Sequence, residues 1–565
     1  MHRHLILACL SALHLITSGQ NASTSLYAGP SLPTGTVVPG TYTGHYRPQV
    51  HYSAPQGFMN DPNGLFIDST GTYHMYYQYN PNATIAGNQH WGHTTSPDLY
   101  HWTNQPIAIF PLNSSEGVFT GSIVVDTNNT SGLFPNQTDG VIAIFTSATS
   151  IQSQALAYSF DEGYTFHRYA GNPVLDINSA NFRDPKVFWH AQTSKWIMAI
   201  TYAQEFTIGI YTSADLISWT HASNFTNQGL LGLQWECPNL VEIPMLGSST
   251  PLWLMYISIN PGAPLGGSIG QYYPGSFNGT HFTAVDNAAR IADFGKDNYA
   301  SQFFPGIPGS QHQLSIAWAS NWQYTNYVPT GPLEGWQSAM TLPRTNYLAN
   351  TSRLDYELVS LPYNLNAVMD SPPIARNGSL GNRTLLLDFD PNNAILLQVN
   401  ITNLNTSQLF NTASLNFTFT SSISGESLSA GQFLGGDGQF WMNRGNTRAF
   451  ENPFFTGEAS TAVVVEDGWD GQVVLDRSLW EVFLLGGTRS ATLGYFAEEA
   501  LDILMVRCAG VNEGAEVSVG VWELDSVWAG EKDSTGAVGR GGSGNETRKR
   551  KRSKSDRVGT MLFGS

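Results

Sequence analysis

Four segments of the chain share one pattern, and that pattern limits what the chain can fold into. SPDLYHW ends at Trp102, SFDEGYTF at Phe166, SADLISW at Trp219 and PGSFNGTHF at Phe282, at intervals of 64, 53 and 63 residues. Each sets turn-forming Ser, Asp, Asn or Gly residues just before an aromatic. Each also follows an apolar or aromatic run, such as 156–158 or 208–211, and so reads as a β-hairpin tip. A unit of about 50 to 60 residues with several strands cannot bury its faces alone, and radial stacking of such units makes a β-propeller. Ordinary hairpins in a sandwich or barrel are the alternative. Continuous apolar runs at 141–145, 196–200 and 252–259 suit inner strands covered on both faces. The repeat stops near residue 360, and alternating strands follow at 385–389, 394–399, 473–475, 480–484 and 517–522. They predict a second all-β domain, a sandwich.

Composition supports strands and turns over helices. Among 565 residues there are 56 Gly and 29 Pro, with 12% aromatic and 12% charged side chains, which excludes a disordered body. The net charge is -17, and residues 529–565 hold nine Lys or Arg against four Asp or Glu, a local +5 that leaves -22 for the rest. An acidic body excludes nucleic acid or an anionic membrane as partner, since both require a basic face. Residues 1–19 carry His2, Arg3 and His4, then an apolar run over 5–16 and small residues, the form of a secretory signal peptide. The run is shorter than the roughly 20 residues that span a bilayer. Fifteen N-x-S/T matches agree with a secreted glycoprotein. Of three cysteines Cys9 falls in the signal, leaving Cys237 and Cys508, so disulfides are not what holds the fold. The expected organisation is a signal over 1–19, a leader over 20–46, a catalytic propeller over 47–360, a sandwich over 361–528 and a disordered basic tail over 529–565.

Three carboxylates stand in uncharged, turn-rich sequence beside strands. Asp61 lies in GFMNDPNG, Asp184 in FRDPK and Glu236 in QWECPNL. Aromatic and proline neighbours desolvate a carboxyl and raise its pKa, as a general acid near neutral pH requires. For any one of them a surface turn is the plainer reading.

Taken together, MNDPNG, FRDPK and WECPNL, in that order, closely resemble the signature motifs of glycoside hydrolase family 32, the invertases, inulinases and fructosyltransferases. The resemblance extends through YQYNP at 77–81, WGH at 91–93, FTGS at 119–122, DNYA at 297–300 and ASNW at 319–322, and to DRS at 476–478 and EVF at 481–483. It implies a five-bladed propeller followed by a β-sandwich. It also implies that Asp61 is the nucleophile, Glu236 the acid/base and Asp184 the transition-state stabiliser of a retaining cleavage of sucrose and related β-fructosides, with no metal or cofactor. Asn60, Gln78, Trp91, Phe119, Ser122 and Arg183 are then expected to line the fructose pocket, although core packing is the alternative for Trp91 and Phe119. Cys237 is expected to be a free buried thiol near the acid. Many members have Trp where this chain has Phe58; with 260–275 and 318–327, this is most similar to fungal sucrose-acting enzymes that also transfer fructose. The other readings are an exo-inulinase and, outside catalysis, a glycan-binding propeller lectin, which would not need three carboxylates.

Overall fold

The computed structural model describes residues 37–350, 355–369, 372–436, 438–528 and 561–564. The expected signal, the leader up to residue 36 and residues 529–560 of the tail lie outside the described residues. The chain is all-β, and among the described residues the only α-helix is the short Thr330–Glu334.

Between Gly57 and Pro362 the chain makes five antiparallel sheets in succession. Their first strands are β1 (Gly57–Ile67), β2 (Gly117–Val125), β3 (Phe182–His190), β4 (Trp235–Ile243) and β5 (Tyr299–Phe303). Each touches the next, and β5 touches β1, so the circuit closes. A two-residue strand, Trp336–Gln337, pairs in parallel with Gly57 and Phe58 and latches it.

All four repeat motifs sit in the same place, the turn joining the third and fourth strands of a sheet. The local chemistry explains why. Ser96, Ser159 and Ser213 each accept a backbone N–H at Oγ, from Leu99 at 2.8 Å, Gly163 at 2.9 Å and Leu216 at 2.9 Å. Asp98, Asp161 and Asp215 then accept from Tyr100, Thr165 and Ile217 at 2.9, 2.9 and 3.0 Å. These side chains supply the acceptors a tight turn lacks. In the fourth turn Asn278 does the same for Thr280 and His281. The fifth sheet connects Arg344–Ala349 to Glu357–Pro362 through 350–356, without the motif. The apolar runs at 141–145, 196–200 and 252–259 are second strands, not the innermost ones. The innermost positions belong to the polar motifs.

The remaining strands form a six-stranded and a seven-stranded sheet packed face to face around one apolar core. The six-stranded sheet includes β7 (Ala394–Thr402), β8 (Trp469–Asp476), β9 (Leu479–Leu484) and β10 (Glu516–Leu524). Its second face meets the ring: Leu396, Val474 and Leu524 pack in one cluster with Tyr52, Tyr77 and Trp102. Tyr42, within the expected leader, joins this packing and stacks on Trp528 at 3.7 Å.

The seven-stranded sheet corrects the expectation of a tail without structure. Its strand β6 (Arg383–Asp388) pairs on its outer side with the edge strand β11 (Met561–Gly564), from the end of the tail. The basic, Gly- and Ser-rich stretch is followed by Met561, Leu562 and Phe563, a short apolar run able to complete an open edge.

Candidate active site

All five inner strands slip register against their second strands at the same point. The slips fall between Met59 and Pro62, Val118 and Gly121, Arg183 and Lys186, Glu236 and Asn239, and Tyr299 and Gln302. A bulge of this kind unpairs residues and re-aims their side chains. It also tolerates a proline, which cannot donate to a ladder, and three of the five hold one: Pro62, Pro185 and Pro238. Asp184, Cys237 and Ala300 adopt left-handed backbone, with φ of 65°, 47° and 52°. Such strain in non-glycine residues persists only where surrounding structure enforces it. The unpaired backbone groups are met by side chains from neighbouring sheets. Asn239 Nδ2 donates to Ser301 O at 2.8 Å, and its Oδ1 accepts from Phe303 N–H at 3.1 Å.

The bulges bring Asp61, Thr120, Asp184, Glu236 and Tyr299 together from five separate sheets. Asp61 Oδ2 accepts the Thr120 hydroxyl at 2.9 Å and the Cys237 thiol at 3.4 Å, and its Oδ1 accepts from Asn60 at 3.2 Å. Asp184 Oδ2 accepts the Cys237 N–H at 2.9 Å and lies 3.7 Å from the same thiol. Glu236 Oε1 takes two bonds from Arg183, 3.1 Å from Nε and 3.0 Å from Nη2, while Oε2 accepts the Tyr299 hydroxyl. Arg183 is held in turn by Gln152 at 3.3 Å and Gln234 at 3.0 Å.

Arg183 is bonded to Glu236 and acts on Asp184 by charge, and the acidities of Asp61 and Asp184 reflect how little counter-charge they receive. Burial, with the Glu236 charge, pushes Asp61 up to about 6 against the bonds from Thr120, Asn60 and Cys237. Burial pushes Asp184 up to about 7; Arg183 opposes this, while Glu236 and Asp61 add to it. The site therefore holds more negative charge than it can neutralise, an arrangement suited to a developing cation.

The expected pocket residues divide. Asn60 and Arg183 touch the carboxylates directly. Phe119 is partly exposed beside Thr120. Gln78 donates to Val118 O at 2.9 Å, at the edge of the β2 bulge. Trp91 is fully buried in an apolar cluster and donates to Phe119 O at 3.0 Å, so it supports the site from beneath. Ser122 Oγ donates to Pro185 O and accepts from Val187 N–H, both at 2.9 Å, which commits its hydroxyl to joining β2 to β3. Cys237 and Cys508 are both free and buried. Sequence reasoning assigned no role to Tyr299 or Thr120. The signal was available: both stand in quoted motifs, at the positions where the other inner strands carry their bulges.

Residues 51–362 match the glycosyl hydrolases family 32 N-terminal domain. The chain belongs to this family. Among family 32 relatives, it is 42% identical over 482 residues to an extracellular exo-inulinase of Meyerozyma guilliermondii, covering 81% of this chain and 92% of that one. It is 44% identical over 445 residues to invertase 2 of Saccharomyces cerevisiae, covering 73% and 81%. Its fold superposes on the fructofuranosidase of Schwanniomyces occidentalis, solved with fructose, with a TM-score of 0.78 and 36% identity over 86% of this chain and 99% of that one.

Proposed function

We propose that this chain is a secreted, retaining β-fructofuranosidase acting on sucrose and related β-fructosides. The observation that carries the reading is the meeting of Asp61, Asp184 and Glu236, one from each of three inner strands, with Cys237 bonded to both aspartates and Arg183 bonded to the glutamate. The relatives' names, exo-inulinase, invertase and fructofuranosidase, agree with it. We read the closed circuit of five sheets as a five-bladed propeller over 47–360, and the sheet pair as a sandwich over 361–528. Secretion is supported by the signal-like residues 1–19 and by the word extracellular in a relative's name.

In the first step Asp61 attacks C2 of the fructosyl unit as Glu236 gives its proton to the departing glycosidic oxygen. The C2–O bond breaks and a fructosyl ester forms on Asp61. Glu236 then takes a proton from water, which attacks C2 and releases Asp61, so configuration is retained. Asp184 holds sugar hydroxyls while the ring approaches an oxocarbenium ion, and that bond tightens as positive charge develops. Arg183 and Tyr299 occupy the two oxygens of Glu236 and fix its orientation for both transfers. The ester is the step to test. Glu236→Gln, given a fructoside with an activated leaving group, should accumulate a fructosyl adduct on the peptide containing Asp61, detectable by mass spectrometry. An adduct on any other residue, or none in a variant that still releases the leaving group, removes Asp61 from the role.

A second reading, transfer of fructose to sucrose, rests on the aromatics around the site. Trp322 is partly exposed and packs against the buried Phe58, Cys237 and Tyr299, and Tyr327 is 70% exposed. Aromatic faces raise the local occupancy of a sugar acceptor over water. Trp318 and Tyr324 do not contribute, because both are buried, with the Tyr324 hydroxyl bonded to Asp297. At high sucrose, glucose should exceed fructose and a trisaccharide should appear; equal release throughout a rising sucrose series would leave plain hydrolysis.

A further inference from the structure

We propose that Asn400 carries an N-linked glycan whose first sugars lie in a polar cavity on the six-stranded sheet; this rests on the secretory reading above. Asn400-Ile401-Thr402 has the acceptor form N-x-T. Along β7, Ala394 and Leu396 face the ring, and Gln398 and Asn400 continue that same face beyond it. The neighbouring strands change in step. Val474 gives way to Gln472 on β8, and Leu524 and Trp522 to Gly520 and Ser518 on β10. Where the ring ends, the face turns from apolar to polar and a cavity of about 390 Å³ opens on it.

The lining suits a sugar. The Trp522 indole lies across Gly520, so closely that a Cβ there would stand 2.4 Å from the ring. Among the described residues, the side-chain amides of Gln398, Asn400 and Gln472 make no hydrogen bond to protein. An aromatic body beside uncommitted amides offers a stacking face for sugar C–H groups and both donors and acceptors for hydroxyls. Asn400 is exposed and its side chain stands in the cavity, so a glycan attached there is held at high effective concentration over the seat. The attachment consumes a lipid-diphosphate-linked oligosaccharide. The Asn400 Nδ2–C1 bond forms, the C1–O bond to the diphosphate breaks, and the amide proton leaves with the diphosphate product.

The full chain, produced through a eukaryotic secretory pathway, tests this. Glycopeptide mass spectrometry should find Asn400 occupied and Thr402→Ala unoccupied there. Under native conditions an endoglycosidase that cuts between the two core N-acetylglucosamines should release the Asn400 glycan about tenfold more slowly than one on the exposed turn residue Asn278, the factor one good aromatic contact supplies. Trp522→Ala, and independently the double variant Gln398→Ala with Gln472→Ala, should bring the two rates together. Bare Asn400 beside occupied sequons elsewhere, or release at equal rates in the unaltered protein, overturns the proposal while leaving secretion intact. No glycan at any sequon overturns the secretory reading and the seat with it.

Discussion

The centre of the ring and the seam between ring and sheet pair are both crowded with buried carboxylates, yet the two differ in how much counter-charge they supply, although burial still raises Asp293 at the seam. At the seam Arg344 bonds Asp293 and Glu481, both at 3.0 Å, and Arg444 bonds Asp297 at 2.6 Å. Asp476 accepts from His51 and from the backbone of Gln49 and Val50. Against the pull of burial, bonds to Asp476 and Glu481 hold His51 at about 9. Arg344 and His51 likewise keep Glu481 below its ordinary value despite burial. At the ring centre Arg183 bonds Glu236 and offsets the rise of Asp184 only in part, and Asp61 and Asp184 are both pushed up. The difference teaches that burial alone does not make a carboxylate reactive. Counter-charge decides: supplied, it yields a joint; withheld, a site that waits for a cationic transition state.

Removing charge at the centre should therefore cost activity and not stability. Asp61→Asn, Asp184→Asn and Glu236→Gln should each lower kcat on sucrose by ~10²–10⁴-fold, the usual contribution of a positioned acid, base or nucleophile, with unchanged circular dichroism. Near-normal turnover in any folded variant would remove that residue from the reaction. The seam should answer the other way. Arg344→Met leaves Asp293 and Glu481 buried without their cation, which should cost ~3–5 kcal/mol in urea unfolding, while the folded fraction keeps its kcat. A cost below about 1 kcal/mol, the range of exposed pairs, would dissolve the comparison.

The same contrast has a pH dependence. Asp61 and Asp184 have folded pKa values raised from 3.8 to about 6 and about 7. Their protonated forms favour the native state, so this stabilisation is full below about pH 4 and is lost as pH rises through 6 to 7. An asparagine never ionises. Asp61→Asn should then be more stable than the parent at pH 8, by an amount on the order of 3 kcal/mol at most for a shift of that size, and no different at pH 4. His51 runs at higher pH: raised from 6.5 to about 9, it stabilises fully below 6.5, and that contribution fades as pH passes 9. Thermal unfolding of parent and Asp61→Asn between pH 4 and 10 separates the two windows. A single shared window would show the regions to be electrostatically alike.

What could be read beforehand follows from how local each signal is. The repeat turns were visible because Ser and Asp side chains satisfy the backbone two to four residues away, so the spacing is written in contiguous residues. The three carboxylates were visible because a bulge admits proline, leaving Asp-Pro and Cys-Pro as marks in otherwise uncharged strands. Tyr299 and Thr120 sit in equivalent bulges but bring neither proline nor charge, and their roles appear only when the five sheets close. The fifth sheet lacks the turn motif. The apolar runs could not be placed within their sheets either, since a strand covered on both faces has the same pattern in the second position as in the first. The seam partners are far apart in the chain, by 51 residues for Arg344 and Asp293 and by 425 for His51 and Asp476, and no local pattern pairs them.

The smallest expected effect concerns edges. The circuit of five sheets is closed, whereas the seven-stranded sheet is open and ends at β11 against β6. Four added residues gain ladder bonds of ~0.5–1.5 kcal/mol each, nearly offset by ~1–2 kcal/mol per residue of ordering entropy. Truncation after Trp528 should therefore leave kcat/KM on sucrose unchanged and move Tm by no more than about 2–4 °C, which for a domain of this size is ~1 kcal/mol. Its visible consequence should be association: a bare β6 exposes unpaired N–H and C=O groups to another chain. Size-exclusion chromatography across a concentration series should show the truncated protein self-associating where the full chain does not. Loss of activity on truncation would instead place the tail among the elements that hold the ring, and the distinction between a closed region and an open one would no longer account for the difference.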